Sequence, residues 1–125
     1  METTYRIYCK KKLNKAYFNV CYLAQVTSMD IRKLVYFRYF QSIMSYGIII
    51  WGHCTEWKTI FKLQKKMVRV MMNAPYRESC KPLFKKLNVM TFPCLYLYEL
   101  ISHVHCNIQE NYNTIQEPHC YDTRY

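Results

Sequence analysis

The sequence predicts an all-α fold, a small helical bundle of about four to five helices with a loose polar C-terminal tail. Its 125 residues include only 2 glycines and 4 prolines, which favours long helices with short connections over many short strands. Apolar side chains recur at steps of three and four residues, the period of an amphipathic helix. With 51% hydrophobic residues, the chain is too apolar to be disordered as a whole.

The first helix is predicted at residues 10–25, where Leu13, Ala16 and Val20 begin an apolar stripe. Four lysines crowd its expected start: Lys10, Lys11, Lys12 and Lys15. Positive charge near a helix N-terminus opposes the helix dipole. We therefore expect that these lysines contact a phosphate or that the first turn frays.

The second helix is predicted to begin with a capping-box-like pair, Thr27 and Asp30, and to run through residues 31–51. This segment is hydrophobic around most of its circumference, so we expect it to be largely buried. Its length would also suit a membrane span, but polar and charged residues in its N-terminal half argue against stable insertion: Arg32, Lys33, Arg38 and Gln41. Residues 47–51 fit either a short strand or a helix end loosened by Gly47.

The third helix is predicted at residues 56–73, with Thr55 as its N-cap and Pro75 beyond its end. Its apolar stripe has the spacing of a core face: Ile60, Leu63, Met67, Val70 and Met71. Five cations are predicted on the opposite face: Lys58, Lys62, Lys65, Lys66 and Arg69. We call these five residues the basic ridge, which would be about 16 Å long.

Two further helices are predicted before the tail. Pro82 lies near the start of a short helix, and Asn88 suits its left-handed C-terminal position. Thr91 can cap a final helix that runs through FPCLYLYELISHVHCNI. From about residue 109 the chain is polar, without periodicity. We therefore place one helical domain at residues 1–108 and a polar tail at residues 109–125.

The charge is concentrated in the first ninety residues. Residues 1–90 contain 17 Lys and Arg against four acids (17 − 4 = +13), whereas residues 91–125 contain one against four (1 − 4 = −3). Backbone phosphates require only positive charge at helical spacing, so we predict that the basic ridge contacts RNA or DNA without sequence preference. A second cluster consists of Lys81, Lys85 and Lys86, with Lys81 and Lys85 one helical turn apart, and its lysines are predicted as further phosphate contacts. The alternative for both clusters is a solvated surface that keeps an aromatic-rich protein in solution.

The sequence predicts no catalytic, metal or cofactor site. Two-metal nucleotidyl transfer needs several carboxylates around cations about 4 Å apart, but the chain has only two aspartates, Asp30 and Asp122, far apart in sequence. Several side chains near the C-terminus are of types that bind zinc, without the spacing of a zinc finger: His103, His105, Cys106, His119 and Cys120.

Cysteine usage favours a reducing intracellular compartment, the nucleus or the cytoplasm. The 7 cysteines are an odd set with irregular spacing and no C-x-x-C pair, which disfavours a secreted disulfide scaffold. The N-terminal METTYRIYCKKK has no apolar core of secretory-signal length.

Four sequence blocks appear in a recognisable order: KKLNKAYFNVCYLAQV, YFQSIMSYGIIIWG, FKLQKKMVRVMMNAP and CKPLFKKLNVMTFPCLYLYEL. Together they resemble the region downstream of the polymerase palm in non-LTR (LINE-type, jockey-like) retrotransposon reverse transcriptases. The terminal PHCYDTR is similar to the H-x-x-N-T-R ending of that family, with Asp122 in place of the usual Asn. By this resemblance Gln64, Lys65 and Arg69 match one helix motif and Lys85 the next.

The resemblance implies a helical, thumb-like remnant that lacks the palm and its catalytic aspartates. The expected function is that of a non-catalytic C-terminal fragment of an RNA-directed DNA polymerase, which binds RNA or DNA backbone. A second expected partner is a reverse-transcriptase palm in the parent polyprotein. The alternatives are an interaction-only or non-functional helical fragment and, third, a small membrane-associated protein.

Overall fold

A computed structural model describes the backbone of residues 2–115, together with the side chains of Thr4 and residues 7–110. This part of the chain contains six helices and no strand, so the all-α prediction is confirmed. The helices are α1 (Glu2–Leu23), α2 (residues 29–45), α3 (Ile48–Trp51), α4 (Trp57–Met71), α5 (Cys80–Leu87) and α6 (Phe92–Ile115). Helix α2 is continuous and consists of Met29–Val35, a π-helical segment at Tyr36–Gln41 and Ser42–Ser45.

The core lies where α1, α2 and α4 meet the first turn of α6. Helix α1 packs against α2 and α4, and α4 also contacts α5 and α6. The largest fully buried apolar side chains come from all four of these core helices and from α3: Leu13, Tyr36, Phe40, Met44, Ile48, Met67, Met71 and Phe92. Their removal from water supplies the main driving force for folding.

Helix α2 buries a row of residues at steps of four: Arg32, Tyr36, Phe40 and Met44. In an α-helix each four-residue step overshoots a full turn by about 40°, so the row would drift off one face. The π-helical segment has wider turns, with i→i+5 hydrogen bonds, and this keeps the row directed at the core. The rings of Tyr36 and Phe40 stack there with centroids 5.4 Å apart.

The prediction that this helix is largely buried is wrong. Neighbouring helices cover only one of its sides, and on the other side Leu34 and Tyr39 are more than half exposed. The helix also ends earlier than predicted, because Gly47 adopts a left-handed conformation (φ 68°). Residues 48–51 then form the single turn of α3, which excludes the strand alternative for this segment.

The starts of α1 and α2 also differ from the sequence expectations. Helix α1 begins at Glu2, so its four lysines lie within the helix, and the expected conflict with the helix dipole does not arise. The Thr27 hydroxyl donates to the Leu23 carbonyl (2.6 Å), so this side chain closes α1 rather than capping α2. Ser28 is the residue that precedes the first turn of α2.

The second half of the chain follows its predicted order of helices. Helix α5 forms around Pro82, and Asn88 ends it in the predicted left-handed conformation (φ 55°). Helix α4 is shorter than predicted at both ends. Helix α6 continues to Ile115, so the predicted domain boundary at residue 108 falls inside a helix. Residues 116–125 of the predicted tail lie outside the described residues.

Gln64 of α4 is fully buried and uses both ends of its carboxamide. Its Nε2 donates to the Tyr36 hydroxyl (2.9 Å) and to the Met90 carbonyl (2.8 Å), and its Oε1 accepts from the Phe92 amide (2.8 Å). These bonds connect α2, α4 and the connection between α5 and α6. Burial raises the pKa of the Tyr36 hydroxyl well above its ordinary value of 10.0, and the hydrogen bond from Gln64 only partly offsets this.

Arg32 is a second buried polar side chain whose hydrogen bonds connect separate parts of the fold. Its guanidinium donates to the carbonyl of Thr27 through Nε (3.1 Å) and Nη2 (2.8 Å), and through Nη1 to the carbonyl of Met71 (3.1 Å). Met71 is the last residue of α4, so a positive charge lies at the negative end of that helix dipole. Arg32 therefore stabilises the fold.

We expect Gln64→Met to lower the free energy of unfolding by about 3 kcal/mol, because the Phe92 amide would be buried without a partner and the partly buried Met90 carbonyl would lose its donor. Urea denaturation followed by circular dichroism measures the change. The matched control is Gln25→Met, at an exposed glutamine, which should cost less than about 0.5 kcal/mol. Equal effects of the two substitutions would contradict the role of Gln64.

We expect the free energy of unfolding to fall at alkaline pH, because the folded state raises the pKa of the Tyr36 hydroxyl. The folded state keeps the hydroxyl proton at a pH where the unfolded chain loses it. The contribution of Tyr36 to the free energy of unfolding is therefore complete below pH 10.0 and declines as the pH rises above it. Between pH 8 and pH 11 the free energy of unfolding should fall by about 1.4 kcal/mol more in the wild type than in Tyr36→Phe. Urea denaturation at the two pH values measures this difference. Parallel pH profiles for the two proteins would refute the prediction.

Candidate nucleic-acid interface

Helix α4 separates its apolar and basic sides as the sequence predicts. Its buried side chains are Ile60, Gln64, Met67, Val68 and Met71. On the other side Lys58, Lys62 and Lys66 are exposed, whereas Lys65 and Arg69 are half-buried. The predicted stripe differs in one respect, because Leu63 and Val70 are only half-buried while the polar Gln64 is fully enclosed.

The two half-buried cations of the basic ridge are held by neighbouring groups. The Lys65 ammonium lies 4.3 Å from the centroid of the Phe61 ring. The Arg69 guanidinium lies 5.4 Å from the centroid of the Tyr76 ring, and its Nε donates to the Glu78 carbonyl (3.2 Å). These contacts restrict both side chains before any ligand arrives, which reduces the entropy lost on binding.

A cleft of about 670 Å³ lies between α4, α5 and the start of α6, and we call it the basic cleft. Four cations line it: Lys65, Arg69, Lys81 and Lys85. Its apolar lining includes Phe61, Phe84, Val89 and Met90. The structure thus brings together members of the two lysine clusters that the sequence analysis treated separately.

A second cleft of about 470 Å³ lies on the other side of the ridge, between α1 and α4. Its cations are Lys10, Lys62, Lys65, Lys66 and Arg69. Lys10 is one of the four α1 lysines that the sequence analysis expected to contact a phosphate or to fray the first turn, and it was not grouped with the basic ridge. It lies one turn before the buried Leu13, a spacing that places it beside the contact of α1 with α4. Only the pairing of these two helices reveals its position.

The remaining predicted residues divide into exposed and structural ones. Lys58 is exposed near the start of α4 and lines neither cleft. Gln64, which the family resemblance grouped with Lys65 and Arg69, has no exposed surface and serves the fold.

The surface around the ridge has a strongly positive balance. From the N-cap of α4 into α6, residues 56–99 contain nine Lys and Arg and three acids, Glu56, Glu78 and Glu99 (9 − 3 = +6). Such a surface attracts polyanions over several ångströms and provides no base recognition by itself. The arrangement can therefore hold phosphates.

Among the described side chains, no group of three or more His, Cys, Asp or Glu residues could hold a metal ion. His119, Cys120 and Asp122 lie outside the described residues. His103 pairs with Asn107 across one turn of α6 (3.2 Å). No helix within residues 2–115 is both long and apolar enough to cross a bilayer.

A scan against protein-family models, a search of curated proteins and a search of solved structures each return no match for this chain.

Proposed function

We propose that this chain binds RNA or DNA without sequence preference, by contacting the phosphate backbone. The contacts are the basic ridge (Lys58, Lys62, Lys65, Lys66 and Arg69) together with Lys81 and Lys85. The observation that carries the proposal is the convergence of four cations from two helices around one cleft. A merely solubilising surface has no need for such convergence, or for cations fixed by ring and carbonyl contacts.

We further propose that the chain is a non-catalytic C-terminal fragment of a retrotransposon reverse transcriptase. The order of its four sequence blocks supports this origin, and the all-α fold is compatible with a thumb-like region. A palm in the parent polyprotein would then be a second partner, and the nucleus or the cytoplasm would be the site of action.

A second candidate function, an interaction fragment, is favoured by one specific feature. Helix α6 exposes an aliphatic stripe at steps of four and three residues: Leu97, Ile101, Val104 and Ile108. Ile101 is 66% exposed. Apolar stripes of this spacing commonly pack against another helix. If this is the main function, neutralising the basic ridge will leave the behaviour of the protein unchanged, and a partner or a mild detergent will improve its solubility.

We expect nucleic-acid affinity to fall steeply as the salt concentration rises. The slope of this dependence should show how many phosphates the ridge cations neutralise. Each phosphate neutralised contributes about 0.7 to 0.9 to the slope of log K against log salt. The double substitution Lys62→Gln and Lys66→Gln should therefore reduce the slope by about 1.5 and weaken binding equally for different sequences. Fluorescence anisotropy in a salt series measures this.

The control for this experiment is the double substitution Lys11→Gln and Lys15→Gln. These lysines are exposed on α1 and line neither cleft, so the same change in net charge should leave the slope nearly intact. If the two double variants behave alike, binding follows net charge alone and the interface assigned to α4 is wrong.

We expect no polymerase activity, because the sequence lacks a set of aspartates for two metal ions. Purified protein with Mg²⁺, primer-template and deoxynucleotides should extend a primer no more than a control without protein. Extension above that control would overturn the non-catalytic assignment while leaving the binding proposal in place.

A further inference from the structure

The basic cleft contains more than phosphate binding requires. Contacts to a nucleic-acid backbone need positive charge alone. The lining of the cleft, however, also contains four apolar side chains, of which Phe61 is half-buried, Met90 is exposed, and Phe84 and Val89 are buried. The volume of about 670 Å³ is in the range of small-molecule sites. A cleft lined by both cations and apolar side chains fits an anion that is attached to a flat apolar group.

A nucleotide of a single strand has this combination, and a duplex does not present it. In a duplex the bases stack inside and the phosphates lie outside, so a duplex can contact the exposed cations of the ridge but leaves the apolar lining of the cleft in contact with water. In a single strand the bases are free to turn away from the backbone, and base contacts with aromatic and apolar side chains add to the phosphate contacts.

The position of Lys65 and Arg69 suits a strand that crosses the ridge. Both side chains line the basic cleft and the second cleft, so they form the wall between the two. A phosphate held by this pair has an opening on either side, and the next base can enter the basic cleft. The ring contacts with Phe61 and Tyr76 hold the two cations in position for that phosphate.

We propose that the chain is selective for single-stranded nucleic acid, with a base inserted in the basic cleft and adjacent phosphates on Lys65, Arg69, Lys81 and Lys85. The proposal rests on the backbone-binding function above and adds the class of strand and the part of the nucleotide that is recognised.

Three labelled probes test it by fluorescence anisotropy with the unmodified protein. They are an oligothymidylate of about twelve nucleotides, an abasic strand of the same length, and a duplex of the same length, within the range that a small domain covers. We expect the abasic strand and the duplex to bind about tenfold more weakly than oligothymidylate, which corresponds to the contribution of about one stacked base. The abasic strand is the critical control, because it keeps every phosphate and removes only the bases.

A matched pair of substitutions locates the effect. Cys94 and Cys106 are both exposed on α6, but only Cys94 lines the basic cleft. Cys94→Trp should fill the cleft and lower oligothymidylate affinity to that of the abasic strand, without changing abasic binding. Cys106→Trp should change neither. Circular dichroism verifies that both variants are folded, and the probe comparison needs no variant at all.

The outcomes separate this inference from the function on which it rests. Equal affinity for oligothymidylate and the abasic strand, or tighter binding of the duplex, would overturn the single-strand proposal and leave backbone binding intact. A folded Cys94→Trp variant with unchanged oligothymidylate affinity would overturn the assignment to the basic cleft. Absence of salt-dependent binding to all three probes would overturn both proposals.

Discussion

The buried carboxamide of Gln64 fixes the rotation of α4, and the rest of the candidate interface depends on it. With this side chain directed into the core, the five ridge cations lie about 100° to 160° around the helix from it, since each residue advances about 100°. Lys65, at about 100°, is nearest to the core and is half-buried, whereas Lys62 and Lys66 are exposed. The exposed basic side is therefore a consequence of how one polar group is satisfied inside the protein.

The same carboxamide positions the second lysine cluster. Its bonds to Met90 and Phe92 fix the connection between α5 and α6 beside α4. The start of α5 also lies close to α4, with the Cys80 sulfur 3.8 Å from the Lys65 carbonyl oxygen. Lys81 and Lys85 consequently share a cleft with Lys65. A rotation of α4 that exposed Gln64 would leave the Phe92 amide unsatisfied, so the cleft and the core are stabilised together.

The surface outside the interface has a different character. Phe18, Tyr22 and Tyr39 are exposed on α1 and α2, and the second half of α6 exposes its aliphatic stripe. The exposed apolar side chains of α2 and α6 lie outside the two clefts, so protein contacts there and polyanion contacts at the ridge are compatible in one chain.

The sequence by itself determined the fold class, the order of the longer helices, the separation of apolar and basic sides on α4, and the left-handed end of α5 at Asn88. Local rules suffice for these features, because helical periodicity and turn chemistry act over a few residues. Tertiary structure alone decided the burial of Gln64 and Arg32, the π-helical segment of α2, the exposure of its outer side, and the position of Lys10 beside α4. It also decided that Lys65 and Arg69 of the basic ridge share one cleft with Lys81 and Lys85. Periodicity specifies which residues share a side of one helix, but the pairing of those sides depends on long-range packing and on partners for every buried polar group.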